Sequence, residues 1–162
     1  ARVLCLGRVL VPRRRRELSR DPRFGNPRER ASILQQTGFA LLQVGEYGQA
    51  MPYLLEAEAL SRQVQAPNHH FYALRFQAYC WFRLDRWDEL LKVNKKLAAL
   101  DQRYPNFVDR IGSATCFNVA LGASVYALRG NFEQADALRE EARATMIAHS
   151  GPADGWERNN HY

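Results

Sequence analysis

Residues 34–57 read LQQTGFALLQVGEYGQAMPYLLEA, and two later stretches repeat their pattern of small, apolar and aromatic side chains. These are residues 74–97, LRFQAYCWFRLDRWDELLKVNKKL, and residues 119–142, VALGASVYALRGNFEQADALREEA. In each stretch the matching positions are separated by steps of 4, 3, 4, 2, 3, 4 and 3 residues. The matching residues, stretch by stretch, are Leu34, Gly38, Leu41, Gly45, Tyr47, Ala50, Leu54 and Ala57; Leu74, Ala78, Trp81, Asp85, Trp87, Leu90, Asn94 and Leu97; and Val119, Ala123, Tyr126, Gly130, Phe132, Ala135, Arg139 and Ala142. Three copies at constant spacing indicate an internal repeat.

Each copy of the repeat is predicted to be a pair of helices. Steps of three and four residues follow the helical period, so each half places its apolar side chains on one helix face. The step of two comes directly after Gly45, Asp85 or Gly130, which are residue types that end helices and form turns. Small side chains such as Gly38 and Ala50 allow two helix backbones to lie close together. The repeat unit is therefore a hairpin of two antiparallel helices with a shared buried face.

The pattern resembles the tetratricopeptide repeat (TPR) family, most clearly over residues 38–57 and 123–142. The resemblance implies an all-α solenoid of stacked antiparallel helical hairpins in a right-handed superhelix, here with about three repeats. The repeats lie 40 residues apart (Tyr47 to Trp87) and then 45 (Trp87 to Phe132). This spacing is wider than the family's usual one, through longer helices or longer loops. It is similar to the expanded repeats of bacterial signalling ATPases and transcription regulators.

The hairpins set the expected organisation of the chain. We expect helices over residues 28–44, 47–64, 69–84, 87–103, 109–129 and 132–148. The predicted divisions are an Arg-rich segment that is either an arm or the end of a preceding repeat (1–27), three repeats (28–66, 67–105 and 106–150), and a tail or the start of a further repeat (151–162). We expect the chain to be part of a longer protein.

The net charge of +6 is concentrated at the N-terminal end. Residues 1–30 contain ten Arg and three acidic residues, whereas residues 31–162 contain 13 basic and 14 acidic residues. The densest part of this segment is Arg13, Arg14, Arg15 and Arg16. One interpretation is an anion-binding arm that contacts RNA, DNA or an anionic lipid surface, because clustered cations release counterions on binding. The other is a solvated arm, or a patch that pairs with acidic residues elsewhere in the chain. Nucleic-acid contact is predicted only through residues 1–30.

Composition and motifs argue against several other classes of protein. The chain is 46% hydrophobic and 25% charged, near the globular average, and no apolar run reaches the roughly 18–20 residues of a membrane span. Its three Cys form no CxxC pair, which argues against a disulfide scaffold or a zinc module. Cys80 and Cys116 are interpreted as small buried hydrophobes, and His69 and His70 as a helix start. Nucleotide-loop, nucleophile-elbow and zinc-protease motifs are missing. We expect no catalysis, cofactor, metal or membrane, and a cytoplasmic location.

The TPR resemblance also implies a binding face, because the first helices of such repeats line a concave side that holds a peptide or a helix. The residues that fall there are Gln35, Phe39, Gln43, Tyr72, Arg75, Tyr79, Arg83 and Phe117. The Tyr and Arg residues within 72–83 suit partner binding, since Tyr supplies rigid contact area and Arg forked hydrogen bonds. Alternatively, the rings pack between helices and the guanidinium groups pair with acidic neighbours. Both interpretations stay open from the sequence.

The resulting functional prediction is a non-catalytic scaffold for protein–protein interaction. It would bind a peptide or helix of a partner, or of its own longer chain, in the concave groove. One alternative is a sensor or regulatory repeat domain within a larger signalling ATPase or transcription regulator. A second alternative is nucleic-acid contact through the Arg-rich N-terminal segment.

Overall fold

The computed structural model of the chain describes residues 26–104 and 112–150. They form six helices: α1 (Pro27–Gln43), α2 (Tyr47–Gln63), α3 (Pro67–Arg83), α4 (Trp87–Arg103), α5 (Gly112–Leu128) and α6 (Phe132–Ser150). No strand occurs within these two ranges. The predicted all-α class is confirmed. The helix ends lie within two residues of those expected from the sequence, and the expected start of the fifth helix at residue 109 lies outside the described residues.

The wide spacing of the first two repeats comes from helix length. Helices α1 to α4 are each 17 residues long, and they start at intervals of 20 residues, at Pro27, Tyr47, Pro67 and Trp87. Turns of three residues join α1 to α2, α2 to α3 and α3 to α4. The 40-residue spacing therefore reflects long helices, and no long loop separates these two repeats.

Four turns share one hydrogen-bonded geometry. Their central residues have positive φ angles of 82° at Gly45, 50° at Gln65, 56° at Asp85 and 75° at Gly130. In each turn the next N–H donates to a carbonyl five residues earlier, at 2.9 Å: Glu46 to Leu41, Ala66 to Ser61, Arg86 to Trp81 and Asn131 to Tyr126. This is the Schellman motif, which ends a helix with a left-handed residue. The sequence predicted turns at Gly45, Asp85 and Gly130. It did not single out Gln65, because Gln rarely adopts a positive φ.

The described helices fall into two compact units, with the boundary between Arg86 and Trp87. In the first unit, α1, α2 and α3 pack on one another. Its core clusters contain Leu34, Leu41, Ala50, Met51, Leu54, Ala57, Ala73 and Cys80. Gly38 allows α1 to approach α2 closely, because a Cβ at this position would lie 2.5 Å from Leu54 Cδ2.

In the second unit, α5 packs against both α4 and α6. Its buried apolar residues are Leu90, Val93, Leu97 and Leu100 on α4, Cys116, Leu121, Ala123 and Val125 on α5, and Ala135 and Ala142 on α6. The acidic residues early in α6 are exposed, and Asp136 pairs with Arg139 of the same helix.

Candidate partner-binding face of the first unit

A row of contacting aromatic rings, called here the aromatic seam, joins α1 and α3, which are the first helices of the first two repeats. Phe39 on α1 stacks on Phe76 of α3, with ring centroids 4.7 Å apart and an interplanar angle of 27°. Tyr72, one turn earlier on α3, tilts against Phe76 at 6.0 Å. All three side chains are half-buried. Each ring is therefore held by its neighbours and still leaves part of its surface exposed.

A second cluster lies at the C-terminal end of α3. Tyr79 meets Tyr47 of α2 edge to face, with centroids 6.2 Å apart. The guanidinium carbon of Arg83 lies 5.3 Å from the centroid of the same Tyr47 ring. Arg83 is exposed, and the contact found for it among the described residues is this ring and not a carboxylate. An arginine held over an aromatic face loses freedom of movement.

Two other predicted residues are more enclosed. Gln35 is buried and its Oε1 lies 3.0 Å from Nδ1 of His69 on α3, so it ties α1 to α3 and offers little surface. Burial, together with the positive charge of Arg28, lowers the pKa of His69 and favours the neutral ring. Arg75 is half-buried, and this burial lowers the pKa of its guanidinium from the ordinary value.

Only some of the residues predicted to line the binding face lie together in the structure. It brings Phe39 to Tyr72 through Phe76, and Tyr79 to Arg83 through Tyr47. Gln43 is exposed at the end of α1. Phe117 belongs to α5 of the second unit, where it is 40% exposed. The predicted anion-binding residues Arg13 to Arg16 lie outside the described residues.

Two residues that connect this face were missed by the sequence analysis. Phe76 lies four residues after Tyr72 and three before Tyr79, so helical spacing alone places it near the stripe of Tyr and Arg residues. Tyr47 was assigned only to the repeat pattern. Its contact with Arg83 joins residues 36 positions apart, and no local periodicity reports such a distance.

A polar contact fixes α3 against α2 and so positions the face. The buried Gln77 donates from Nε2 to the Leu54 carbonyl at 3.2 Å and to Glu58 Oε2 at 2.8 Å. Both Gln77 and Glu58 are buried. Because a buried carboxylate without a donor is costly, this bond constrains the placement of α3 on α2.

The described residues contain little that suggests chemistry. Cys80 and Cys116 are buried free thiols, as predicted, and burial raises the pKa of Cys80 to about 12. No cluster of three or more His, Cys, Asp or Glu suited to a metal ion occurs between residues 26 and 104 or 112 and 150. Among the described helices, none is both long and apolar enough to cross a membrane.

Comparison with known proteins shows which fold the chain has. The chain is similar to the crystal structure of the TPR domain of Arabidopsis FLU, with a TM-score of 0.66 and 17% sequence identity. The likeness covers 76% of this chain and 99% of that domain. No family model matches the sequence, and no curated protein matches it. The likeness shows that this chain has a TPR-like fold.

Proposed function

We propose that this chain is a non-catalytic scaffold that binds a peptide or helix through the face defined by Phe39, Tyr72, Phe76, Tyr79 and Arg83. The bound segment belongs to a partner protein or to a longer form of the same chain. The observation behind the proposal is the aromatic seam, whose rings contact one another and remain partly exposed. Rigid aromatic surface of this kind provides much of the affinity at protein interfaces.

Binding would proceed by burial of apolar side chains of the partner against the rings. Each Å² of apolar surface removed from water contributes roughly 25 cal/mol, and the rings lose little side-chain entropy because neighbours already hold them. Arg83 would orient the segment through its charge. The TPR-like fold is consistent with this role, since stacked helical hairpins present extended binding surfaces.

The two alternatives stay predictions. The wide spacing of the repeats motivates a sensor or regulatory domain of a larger signalling protein. The Arg-rich segment over residues 1–30 motivates contact with nucleic acid, and deleting it would then abolish binding to nucleic acid and the salt dependence of that binding. A cytoplasmic location is likewise a prediction.

Selection from a display library of random 12-residue peptides on the purified 162-residue chain tests the proposal. Changing Phe39 and Tyr79 together to alanine should weaken the selected peptides at least tenfold. Leu55→Ala is a matched control, because Leu55 is an exposed apolar residue on α2, outside the proposed face. Circular dichroism should show equal helix content for all variants. Unchanged affinity in the folded double variant would overturn the proposal.

A further inference from the structure

We propose that the segment bound by this face is acidic, and that one of its Asp or Glu carboxylates binds Arg83 beside the ring of Tyr47. This inference rests on the proposed function and specifies the chemistry of the partner. It is supported by a comparison between the two units, by the charge around the face and by the state of Arg83.

The second unit contains a similar pairing of a guanidinium group with an aromatic ring, from an arginine one repeat position later than Arg83, and there it binds a carboxylate. Arg129 lies over the Trp87 ring, with its guanidinium carbon 5.8 Å from the centroid. The same side chain donates from an Nη atom to Asp88 Oδ1 at 2.8 Å. The cation above the ring therefore retains donors that reach a neighbouring carboxylate.

The first unit has the cation and the ring but lacks an acidic residue at the position that follows the ring. Tyr47 and Trp87 occupy matching repeat positions, so Gly48 matches Asp88. Gly48 has no side chain to pair with Arg83, and a Cβ built on it would meet nothing within 4 Å. Position 48 is thus open, and a partner segment can supply the missing group.

The charge of the surrounding helices favours an acidic segment. Helix α3 contains Arg75 and Arg83 and no acidic residue, and the sole acid of α1 is Glu29, in its first turn. The acids of the neighbouring α2 already have partners: Glu56 pairs with Arg30 at 2.6 Å, and Glu58 accepts from Gln77. In the flanking turns, Glu46 accepts from Gln49 at 2.9 Å and Asp85 is exposed. A basic face of this kind attracts acidic segments and repels basic ones.

The state of Arg83 suits it to carboxylate binding. It is exposed, and its guanidinium lies over Tyr47. A planar guanidinium above a ring keeps N–H donors for a carboxylate, and two of them match its two oxygens. Because the contact with the ring already restricts the side chain, less freedom is lost when the partner binds.

The test uses the peptides selected on the full chain from the unmodified library, in which carboxylates are the anionic side chains. We expect enrichment of Asp and Glu. Arg83→Gln should weaken the selected peptides about five- to tenfold, as loss of a charged hydrogen bond does. Replacing the responsible acid of the peptide by its amide should cause a similar loss, and the two changes together should cost little more than either alone.

Gly48→Asp supplies an internal carboxylate and should compete with the peptide, lowering its affinity by a similar factor. Gly48→Ala is the control for the added Cβ, and Arg62→Gln, an exposed arginine of α2, is the control for lost charge. Both should bind like the unchanged chain. Peptides without acid enrichment that depend on Phe39 and Tyr79 but tolerate Arg83→Gln and Gly48→Asp would overturn this inference alone. Peptides that do not depend on Phe39 and Tyr79 would overturn the proposed function as well.

Discussion

In both units the second helix of one repeat packs against the first helix of the next. The two interfaces differ in which of these helices supplies a side-chain amide that hydrogen-bonds across. In the first unit Gln77 of α3 reaches across to the Leu54 carbonyl of α2. In the second unit the position matching Gln77 is Gly122, and the amide comes from the other helix: Asn94 of α4 donates to the Asn118 carbonyl of α5 at 2.9 Å. Both interfaces thus contain a crossing amide, although the repeat pattern does not fix which helix provides it.

The two units also differ in the buried polar atoms that lack a hydrogen-bond partner among the described residues: Ser61 Oγ on α2, against Asn94 Oδ1 on α4 and both polar side-chain atoms of Asn118 on α5. Gln77 donates to both a carbonyl and a carboxylate. In the second unit, Asn118 is 2% exposed, and neither its side-chain nitrogen nor its oxygen finds a hydrogen-bond partner. Each unpaired buried polar atom costs about 1–3 kcal/mol. We therefore expect the α4–α5 interface to be the weaker of the two.

The largest effect is expected at the closest helix approach of the first unit. In Gly38→Ala the new Cβ would lie 2.5 Å from Leu54 Cδ2 and 2.6 Å from its Cγ, and Leu54 is fully buried. We expect a loss of about 1–3 kcal/mol in the free energy of unfolding, measured with urea. The control, Gly48→Ala, adds a Cβ into open space and should be neutral or slightly stabilising. Equal stability of the two variants would show that α1 and α2 are not tightly apposed.

The contributions of the two crossing amides, Gln77 and Asn94, to the free energy of unfolding can be compared directly. Gln77→Leu removes the donor that reaches Glu58 from α3 and should cost about 1–3 kcal/mol of unfolding free energy. Asn94→Ala should cost less, about 1 kcal/mol, because Asn94 makes one bond and its own Oδ1 is unpaired. Urea unfolding measures both. A larger loss in Asn94→Ala would contradict the ranking of the two interfaces.

Gly122 sharpens the same comparison, since a Cβ there would lie 2.9 Å from Asn94 Nδ2. Gly122→Ala alone should destabilise the protein by about 1 kcal/mol. In the Asn94→Ala background the clash is gone, and the same change should be nearly neutral. If the two effects simply add in this double-mutant cycle, the prediction is wrong and Asn94 does not contact position 122.

The turns allow a finer test that spans both units. Gly45 and Gly130 have positive φ and open space around the absent Cβ, so changing either to Ala should cost about 1 kcal/mol through backbone strain alone. Conversely, Asp85→Gly and Gln65→Gly should stabilise the chain by several tenths of a kcal/mol. Thermal unfolding is a convenient measurement. A stabilising Gly45→Ala would be incompatible with the left-handed turn.

The smallest expected effect is the pH dependence from His69. Because burial lowers its pKa in the folded chain, the unfolded chain binds a proton first as the pH falls through about 6.5. The stabilisation is therefore present above that pH and is lost progressively below it. Urea unfolding between pH 7 and pH 5 should show this loss, and His69→Gln should reduce it. An unchanged profile in that variant would assign the effect to other groups.

The local features of the fold could be predicted from the sequence, whereas most contacts between helices could not. Helical spacing and turn residues such as Gly45 and Gly130 predicted six helices. Gln65 carried no such signal, although its turn has the same geometry. For the candidate face, spacing placed Tyr79 and Arg83 on one side of α3. Their meeting with Tyr47 depends on how α2 and α3 pack, which one sequence does not report.

The most direct test of the central claim is amide hydrogen exchange of the full chain, with and without a selected peptide, followed by mass spectrometry. If the peptide binds the proposed face, amide exchange should slow in α1 and α3, over Pro27–Gln43 and Pro67–Arg83, when the peptide is present. The double variant, with Phe39 and Tyr79 both changed to alanine, should show no such protection. Protection confined to the helices of the second unit, or equal protection in the double variant, would contradict the claim.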